Sequence, residues 1–368
     1  MHVVVVSCSH RGDDARIIHR QARSLLSAGH RVTAVMPSVE PDASAADPPG
    51  LERVVVPRAV GRRRMRSWWT TRRAVAALGR DVDVVIVHDL ELVPWLPRRR
   101  GVVRVWDVHE DFVALVDDTL WIPRPVRAVA RVVVKAVERI ARSAYTNVLA
   151  EEAYRVRFPG CAVVPNTTWV DEDCAPPDEP ARVVYIGRLS FDRGVREMIE
   201  IGERLRDAGG PRMVLVGPTD GDCRDLIESA HRDGSIEWRG VLPNPDALAV
   251  ARGATAGLSL LHDVPNYAVS RPTKVMEYLA VGVPVISTPL PLAREMIEQS
   301  IAGVVTSAWT GEPLVKEAAD AVLRFASNRS EREEAGRRGW SYASAEWNWN
   351  RDGRRFVELM ESLVRKGC

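Results

Sequence analysis

Short valine-rich runs alternate with longer segments of helical period along almost the whole chain, and this alternation restricts the fold more than any other feature. Continuous apolar runs of this length are typical of parallel strands buried on both faces, and the longer segments are typical of crossover helices. Residues 15–28 predict one such helix, because Ile18, Ala22 and Leu25 share a stripe and Gly29 ends it. The alternation predicts an α/β protein built from βαβ units. The predicted strands are Val3–Val6, Val32–Val35, Val54–Val56, Val84–Val87, Val102–Trp106, Ala162–Val164, Val183–Ile186, Met213–Val216, Ile236–Trp238, Ala256–Leu260, Val283–Ile286 and Gly303–Val305.

The pattern is interrupted once, at residues 171–180, which read DEDCAPPDEP. An acidic, proline-rich stretch continues neither a helix nor a central strand, so we interpret it as a linker. It divides the chain of 368 residues into a Rossmann-like domain at 1–170 and a second at 181–345. Residues 346–368 form a last amphipathic helix, which we expect to pack back towards the first domain. Two doubly wound sheets facing a central cleft would place their ligand-binding strand ends around that cleft.

Net charge, cysteine spacing and the length of apolar runs disfavour several classes of protein. Lys and Arg number 51 against 49 Asp and Glu, a net charge of +2, which disfavours a generic nucleic-acid coat. Five widely spaced cysteines without a CxxC motif favour neither a disulfide framework nor a zinc site, and they fit a reducing compartment. Met1 leads directly into an apolar strand, and no apolar run approaches the roughly 18 residues of a membrane span. We therefore expect a cytoplasmic protein.

Two familiar phosphate-binding motifs are missing from the sequence. No G-x-G-x-x-G follows the first strand, and no Walker A motif occurs anywhere. Nicotinamide and P-loop chemistry are therefore disfavoured.

Two arginines follow the first strand of the second half. Arg188 comes directly after Gly187, and Arg193 precedes Gly194 at the start of a helical segment. A helix N-terminus with two nearby guanidinium groups would form a pocket for a diphosphate. The alternative is a pair of solvated loop arginines.

A second motif runs from Arg271 to Ile286. A helix opened by Pro272 carries Glu277 and ends at Gly282, where a strand follows. Near the strand ends, the carboxylate could accept hydrogen bonds from a ribose diol, as acidic residues do in nucleotide-binding folds. The alternative is that Glu277 only stabilises the first turn of its helix.

Taken together, these motifs resemble the donor-binding half of retaining, GT-B-fold glycosyltransferases of family 4 (glycosyl transferases group 1). The first half is similar to the same family at its opening βαβ unit and at two later loops. The residues that carry this similarity are His10, Asp13-Asp14-x-Arg16-Ile17, Ser24-Leu25, Gly29-His30-x-Val32, Asp107-x-His109-Glu110 and Val164-Pro165-Asn166.

The resemblance implies a GT-B fold and transfer of a sugar from a nucleotide-diphosphate donor to a hydroxyl acceptor with retention, without a metal or other cofactor. Arg188 and Arg193 would bind the diphosphate, Glu277 the ribose, and the backbone of residues 240–242 the base. His109 would lie near the transferred sugar and act as a catalytic residue with the two arginines. The implied donor-binding residues are Gly187, Arg188, Arg193, Gly240, Val241, Leu242, Ser270, Arg271, Thr273, Lys274 and Glu277. The implied acceptor-side residues are His10, Asp14, Arg16, His109 and Glu110. Asp107 and Glu110 are interpreted as loop and capping residues, because no dedicated carboxylate pair is required.

The sequence departs from the family at two positions. Arg193 replaces the usual lysine and keeps the charge, whereas Val269 replaces a glutamate that touches the donor sugar in relatives. Two other functions therefore stay open: a nucleotide-sugar epimerase or hydrolase, and a non-catalytic nucleotide-sugar-binding protein.

The most uneven charge lies between Arg58 and Arg73, which contain seven arginines, no acid and the pair Trp68-Trp69. Basic charge with interfacial aromatics is typical of a membrane-surface segment. This interpretation would suit a lipid-linked acceptor and a peripheral location at the inner membrane face. Alternatively, the segment is a solvated helix face or a loop that contacts the acceptor. In that case the acceptor could be a sugar or a small molecule. No nucleic-acid partner is expected.

Overall fold

The computed structural model describes residues 1–38, 47–109, 112, 116, 124–174, 176, 180–264, 267 and 271–367. Glu110, Val269 and Ser270 lie outside the described residues. The chain forms two compact units. The first combines Met1–Pro41, Ala45–Asn166 and Asn350–Cys368, and the second consists mainly of Thr167–Trp349.

The first unit is built on a seven-stranded parallel sheet of order β3-β2-β1-β4-β5-β6-β7. Every residue of β1 is buried, as expected for a strand covered on both faces. The strands are β1 His2–Val6, β2 Arg31–Met36, β3 Glu52–Val55, β4 Val84–Val87, β5 Val103–Val108, β6 Thr146–Leu149 and β7 Ala162–Val163.

Helices cover both faces of this sheet. The first begins as a π-helical stretch, Ala15–Ala22, and continues as α1, Arg23–Ser27. Helices α2, Arg64–Ala77, and α3, Arg127–Ala144, share one apolar core with β1 and β4, so they lie on the same face. Short 3₁₀ turns occupy Gly61–Arg63, Leu90–Leu92, Arg124–Val126 and Glu152–Val156.

The second unit has a six-stranded parallel sheet of order β10-β9-β8-β11-β12-β13. Its strands are β8 Arg182–Ile186, β9 Arg212–Val216, β10 Glu237–Trp238, β11 Ala256–Ser259, β12 Val285–Ser287 and β13 Gly303–Val305. Its helices are a 3₁₀ turn at Phe191–Arg193, α4 Val195–Asp207, α5 Arg224–Arg232, α6 Asn244–Ala251, α7 Thr273–Ala280, α8 Pro291–Ser300, α9 Gly311–Ser327 and α10 Arg329–Glu346.

The last helix, α11, spans Trp349–Gly367, and from Asn350 onwards it belongs to the first unit. Phe356 and Met360 are buried, as the apolar spacing of this segment predicted. A pair between His30 Nε2 and Glu361 Oε1, 3.1 Å apart, ties the helix to the segment that precedes β2.

The two Rossmann-like parallel sheets confirm the predicted fold class. The sequence pattern missed β6, because this strand opens with the polar residues Thr146 and Asn147 rather than with an apolar run. The described start of the predicted linker contacts the second unit, where Asp171 binds the Arg252 guanidinium at 2.6 and 2.7 Å. Among the described residues, no helix combines the length and hydropathy needed to cross a bilayer.

Candidate functional site

A buried lysine forms the centre of the candidate site in the second unit. Lys274, in the first turn of α7, is 6% exposed, and its Nζ has no hydrogen-bond partner among the described residues. The Nζ lies 4.0 Å from the ring centroid of Tyr185. Burial, and then the charge of Arg193, lower the pKa of Lys274 well below its usual value. A buried amine without a partner is costly, so this position favours an anionic ligand.

Arg193 is held near Lys274 by the turn that precedes α4. Gly194 ends this turn with φ of +79°, and a Cβ there would lie 2.5 Å from the Leu260 carbonyl oxygen, so only glycine fits. The Arg193 guanidinium lies 5.5 Å from the ring centroid of Tyr267. Arg193 is thus held close enough for its charge to lower the pKa of Lys274.

Gly187 has no side chain to cover Lys274, so its backbone borders the site directly. Its φ is +139°, its N–H donates to the Val216 carbonyl at 2.9 Å, and a Cβ built on it would lie 3.7 Å from Lys274 Nζ. The glycine therefore leaves space in front of the lysine. A diphosphate is an anion that suits two cations beside an uncovered loop.

Glu277 lies one turn further along α7 and is buried. Its Oε1 accepts a hydrogen bond of 3.1 Å from the Asn244 side chain. No acidic residue stands in the first turn of α7, so the helix-stabilising alternative for Glu277 was wrong. Because Lys274 and Glu277 are three residues apart, one helix face presents both a cation and a carboxylate.

The predicted base-binding segment follows β10. Gly240 adopts φ of +65°, and its carbonyl accepts a 2.7 Å hydrogen bond from the Gly217 N–H. Val241 and Leu242 are half-buried. The segment thus lies next to the loop that leaves β9.

Three other predicted donor residues have side chains that bind elsewhere or face solvent. Arg188 is 63% exposed, and its Nε binds Asp220 Oδ1 at 2.5 Å. The Arg271 guanidinium stacks over Trp347, 5.0 Å from the ring centroid, and Thr273 is exposed. Their donor roles stay predictions.

The first unit brings four of the predicted acceptor-side residues into one network. His109 Nε2 lies 3.1 Å from His10 Nε2, and His109 Nδ1 lies 3.0 Å from the Asp107 carbonyl oxygen. His10 Nδ1 lies 3.6 Å from Asp14 Oδ2. Arg16 binds both carboxylate oxygens of Asp107, at 2.8 and 2.7 Å.

Asp107 was predicted to be a loop residue, and that prediction was wrong. It belongs to β5 and is buried, with the Arg16 guanidinium on both carboxylate oxygens and the Nδ1 atoms of His88 and His109 at 3.2 and 3.4 Å from Oδ2. Burial alone would raise the pKa of Asp107, but the charge and hydrogen bonds of Arg16 outweigh burial and hold that pKa well below its usual value.

Asp14 begins the π-helical stretch. Its carboxylate accepts hydrogen bonds from the backbone N–H groups of Arg16 and Ile17, at 2.9 and 3.0 Å. Burial would raise the pKa of Asp14, yet the hydrogen bond and charge of His10 outweigh it and lower that pKa. Asp14 therefore both caps the helix and orients His10.

Three residues of this network offer metal-ligand atoms. Those of His88, Asp107 and His109 all lie within 4.8 Å of one another. Both Asp107 oxygens already bind the Arg16 guanidinium, whose positive charge would repel a metal cation. His88, Asp107 and His109 therefore form a histidine–carboxylate network in which the Arg16 guanidinium already occupies the carboxylate.

The sequence interpretation missed several residues of both sites. The Tyr185 ring contacts Lys274 and the Tyr267 ring contacts Arg193, and His88 and Asp89 extend the first-unit network. Since His88 and Asp89 directly follow the buried strand β4, the rule that ligand-binding residues gather at the ends of parallel strands could have found them. Tyr185 lies inside a strand and gave no such signal.

Part of the basic segment from Arg58 to Arg73 contacts the rest of the first unit, and part of it is exposed. Trp68 stacks inward on Trp95, with ring centroids 5.9 Å apart, whereas Trp69 is exposed. Arg64 pairs with Glu91 Oε2 at 2.6 Å, and Arg72 donates to the Trp95 carbonyl at 2.6 Å.

Comparison with known proteins gives the same assignment for the second half. Residues 180–328 match the family model described as glycosyl transferases group 1. The chain is 27% identical over 131 residues to WcaL of Escherichia coli K12, described as a colanic acid biosynthesis glycosyltransferase. That match covers 34% of this chain and only 32% of the relative's length.

Solved structures resemble the whole chain in fold. Sucrose-phosphate synthase from Thermosynechococcus elongatus superposes with a TM-score of 0.69 at 14% identity, covering 99% of each chain. The Anabaena protein Alr3699/HepE in complex with UDP-glucose superposes with a TM-score of 0.62 at 12% identity, covering 98% of this chain and 99% of the other.

Proposed function

We propose that this protein transfers a sugar from a nucleotide-diphosphate donor to a hydroxyl acceptor, and the match of residues 180–328 to the glycosyl transferases group 1 family model supports this. The observation that carries the proposal is the buried Lys274, whose Nζ has no hydrogen-bond partner in the part of the chain that the structure describes and whose pKa is lowered by the charge of Arg193. The UDP-glucose complex of the structurally similar Anabaena protein supports a nucleotide sugar as the donor class.

Each group in the second unit has a place in this proposal. Lys274 and Arg193 bind the diphosphate, with Gly187 leaving room for its oxygens. The Glu277 carboxylate accepts hydrogen bonds from the ribose hydroxyls, and the backbone at Gly240 contacts the base. Arg188 would have to leave Asp220 to join them, so we expect its contribution to be smaller.

The reaction breaks the bond between the anomeric carbon and the diphosphate oxygen, and the electron pair leaves with the diphosphate. Negative charge grows on the leaving oxygen, and fixed cations stabilise that charge without reorganising. The acceptor oxygen forms the new bond to the anomeric carbon, and its proton passes to the leaving diphosphate. Two fixed cations supply what a metal ion supplies elsewhere, so we propose that no metal is required.

We propose retention of the anomeric configuration, with the acceptor attacking from the face that the diphosphate vacates. The family resemblance supports this stereochemistry. Asp107 does not serve as a nucleophile in this proposal, because both its carboxylate oxygens bind Arg16. His10 and His109 are the residues we propose for the acceptor side, where a sugar, a lipid-linked or a small-molecule hydroxyl would bind.

A thermal-shift screen with UDP-, GDP- and dTDP-sugars tests the donor class. A ligand at 100 times its dissociation constant adds about 2.7 kcal/mol of stability, which is a readily measured shift. Each hit is then incubated with an acceptor panel, with and without EDTA, and the product's anomeric configuration is determined by NMR. The proposal expects a transferred sugar, a retained anomer and no effect of EDTA.

Two outcomes would contradict the proposal. Release of free sugar at the same rate with and without acceptors would identify a hydrolase. Donor binding without turnover on any acceptor would favour a non-catalytic binding protein.

A further inference from the structure

Helix α3 carries an apolar stripe on its outer surface. Val129, Val132, Val133, Ala136 and Ile140 are all exposed, and Val129 and Val132 are 64% and 67% exposed. Their spacing of i, i+3, i+4, i+7 and i+11 places them on one side of the helix. We call these five residues the valine face.

The valine face is not the side that holds α3 in the fold. Helix α3 is anchored by Ala141, Val134 and Val137, which pack into the apolar core of the first unit. A stripe of exposed, large apolar side chains beside a complete core contact marks an interaction surface.

A basic stripe runs beside the valine face. Arg131, Lys135, Arg139 and Arg142 are exposed and spaced i, i+4, i+8 and i+11. Glu138 is the only acid of α3, and it is buried, with the Arg157 guanidinium within 2.6 Å of its carboxylate oxygens. The outer surface of α3 therefore combines exposed apolar area with exposed basic side chains.

Helix α2 adds a second surface of the same character. Met65 and Trp69 are exposed one turn apart, and the Arg73 guanidinium lies 5.3 Å from the Trp69 ring centroid. Helix α2 contains no acid. Since α2 and α3 share one core on the same face of the first sheet and both contact the Leu90–Leu92 turn, their outer surfaces point away from the same side of that sheet.

We propose that the valine face and the outer surface of α2 dock the first unit on an anionic lipid bilayer. The apolar side chains enter the boundary between headgroups and acyl chains, and the basic stripe meets the anionic headgroups. A helix with one apolar and one basic outer stripe suits a position in the plane of the interface. An exposed tryptophan beside an arginine, as at Trp69 and Arg73, is also typical of the boundary between headgroups and acyl chains. The inference makes no assumption about the reaction.

Co-sedimentation of the full chain with vesicles tests the proposal. We expect binding to vesicles of phosphatidylcholine with phosphatidylglycerol at low salt, and weak binding to phosphatidylcholine alone. High salt should reduce binding, because the Debye length falls from about 10 Å at 0.1 M to about 3 Å at 1 M. The double variant Val129→Asp with Val132→Asp should lose binding more than tenfold, since it places two carboxylates against an anionic surface.

A matched control comes from the same unit. Val156 is 90% exposed and lies outside α2 and α3, so Val156→Asp should bind vesicles as the wild type does. Thermal unfolding checks that both variants fold, and donor titration checks that the second unit is unaffected. The control separates loss of the valine face from loss of any exposed valine.

Three outcomes would overturn the proposal. The wild type could stay in the supernatant with anionic vesicles at low salt, or the double variant could bind as well as the wild type. A wild type that dimerises in sedimentation velocity without vesicles, and a double variant that is monomeric, would assign the valine face to a second copy of this chain.

Discussion

The two units each gather charged side chains at the ends of parallel strands, but they differ in how far those charges are compensated. In the first unit, Asp107 is buried against Arg16, His88 and His109. In the second unit, Lys274 is buried without a hydrogen-bond partner among the described residues, and the charge of Arg193 lowers its pKa instead of compensating it.

This difference separates a polar network that holds a fold together from one prepared for a ligand. A buried ion pair loses stability when either partner is removed, because the other charge is left uncompensated. A buried amine without a hydrogen-bond partner has no such bond to lose, and it gains one when an anion binds.

The largest effect should follow from Asp107→Ala. It leaves the Arg16 guanidinium buried without its bidentate partner, so the free energy of unfolding should fall by about 3–5 kcal/mol in urea titrations. Glu152→Ala is the control, because it breaks an exposed pair with Arg155 and should change little. A small loss for Asp107→Ala would show that the network contributes little to stability.

Arg193→Ala should reduce turnover by about 10² to 10³, because it removes a fixed cation beside the leaving diphosphate. Arg193→Lys should lose less, since the charge stays. Arg188→Ala should lose less than Arg193→Ala, because Arg188 is paired with Asp220 and exposed. Steady-state rates with the preferred donor measure all three, and equal losses at positions 188 and 193 would place both arginines on the diphosphate.

Lys274→Met should separate ligand binding from stability. The donor affinity should fall by about 1.5–3 kcal/mol, the value of a hydrogen bond to a charged group. The ligand-free protein should keep its unfolding free energy or gain about 1 kcal/mol, because the amine has no hydrogen-bond partner among the described residues and loses only its contact with the Tyr185 ring. Calorimetric donor titration and urea unfolding measure both quantities. A large loss of ligand-free stability would assign Lys274 to the fold.

The smallest effect concerns pH. Burial lowers the pKa of His88 in the folded protein, so below about pH 6.5 the unfolded chain binds a proton that the folded protein does not. Stability should therefore fall as the pH decreases from about 7 to 5, by at most about 1.4 kcal/mol per pH unit for this histidine. His88→Asn should reduce the slope, and an unchanged slope would exclude His88 as its source.

The sequence predicted both sheets and most strand positions, because a strand buried on both faces needs an uninterrupted apolar run. The sequence also indicated Arg193 and Glu277 as candidate donor-binding residues, because glycines and a proline mark the loop and the helix that carry them. The same reasoning could not separate Arg188 from Arg193, which have similar sequence surroundings.

Only the tertiary structure decided what each of these charges contacts. Asp220, which holds Arg188, is 32 residues away in the chain, and Asp107, which holds Arg16, is 91 residues away. The valine face shows the same limit, because the apolar stripe of α3 is wider than its core contact and local spacing does not say which part of the stripe meets the core. Periodicity is a local property of the chain, whereas burial and charge compensation depend on groups that only the folded sheet brings together.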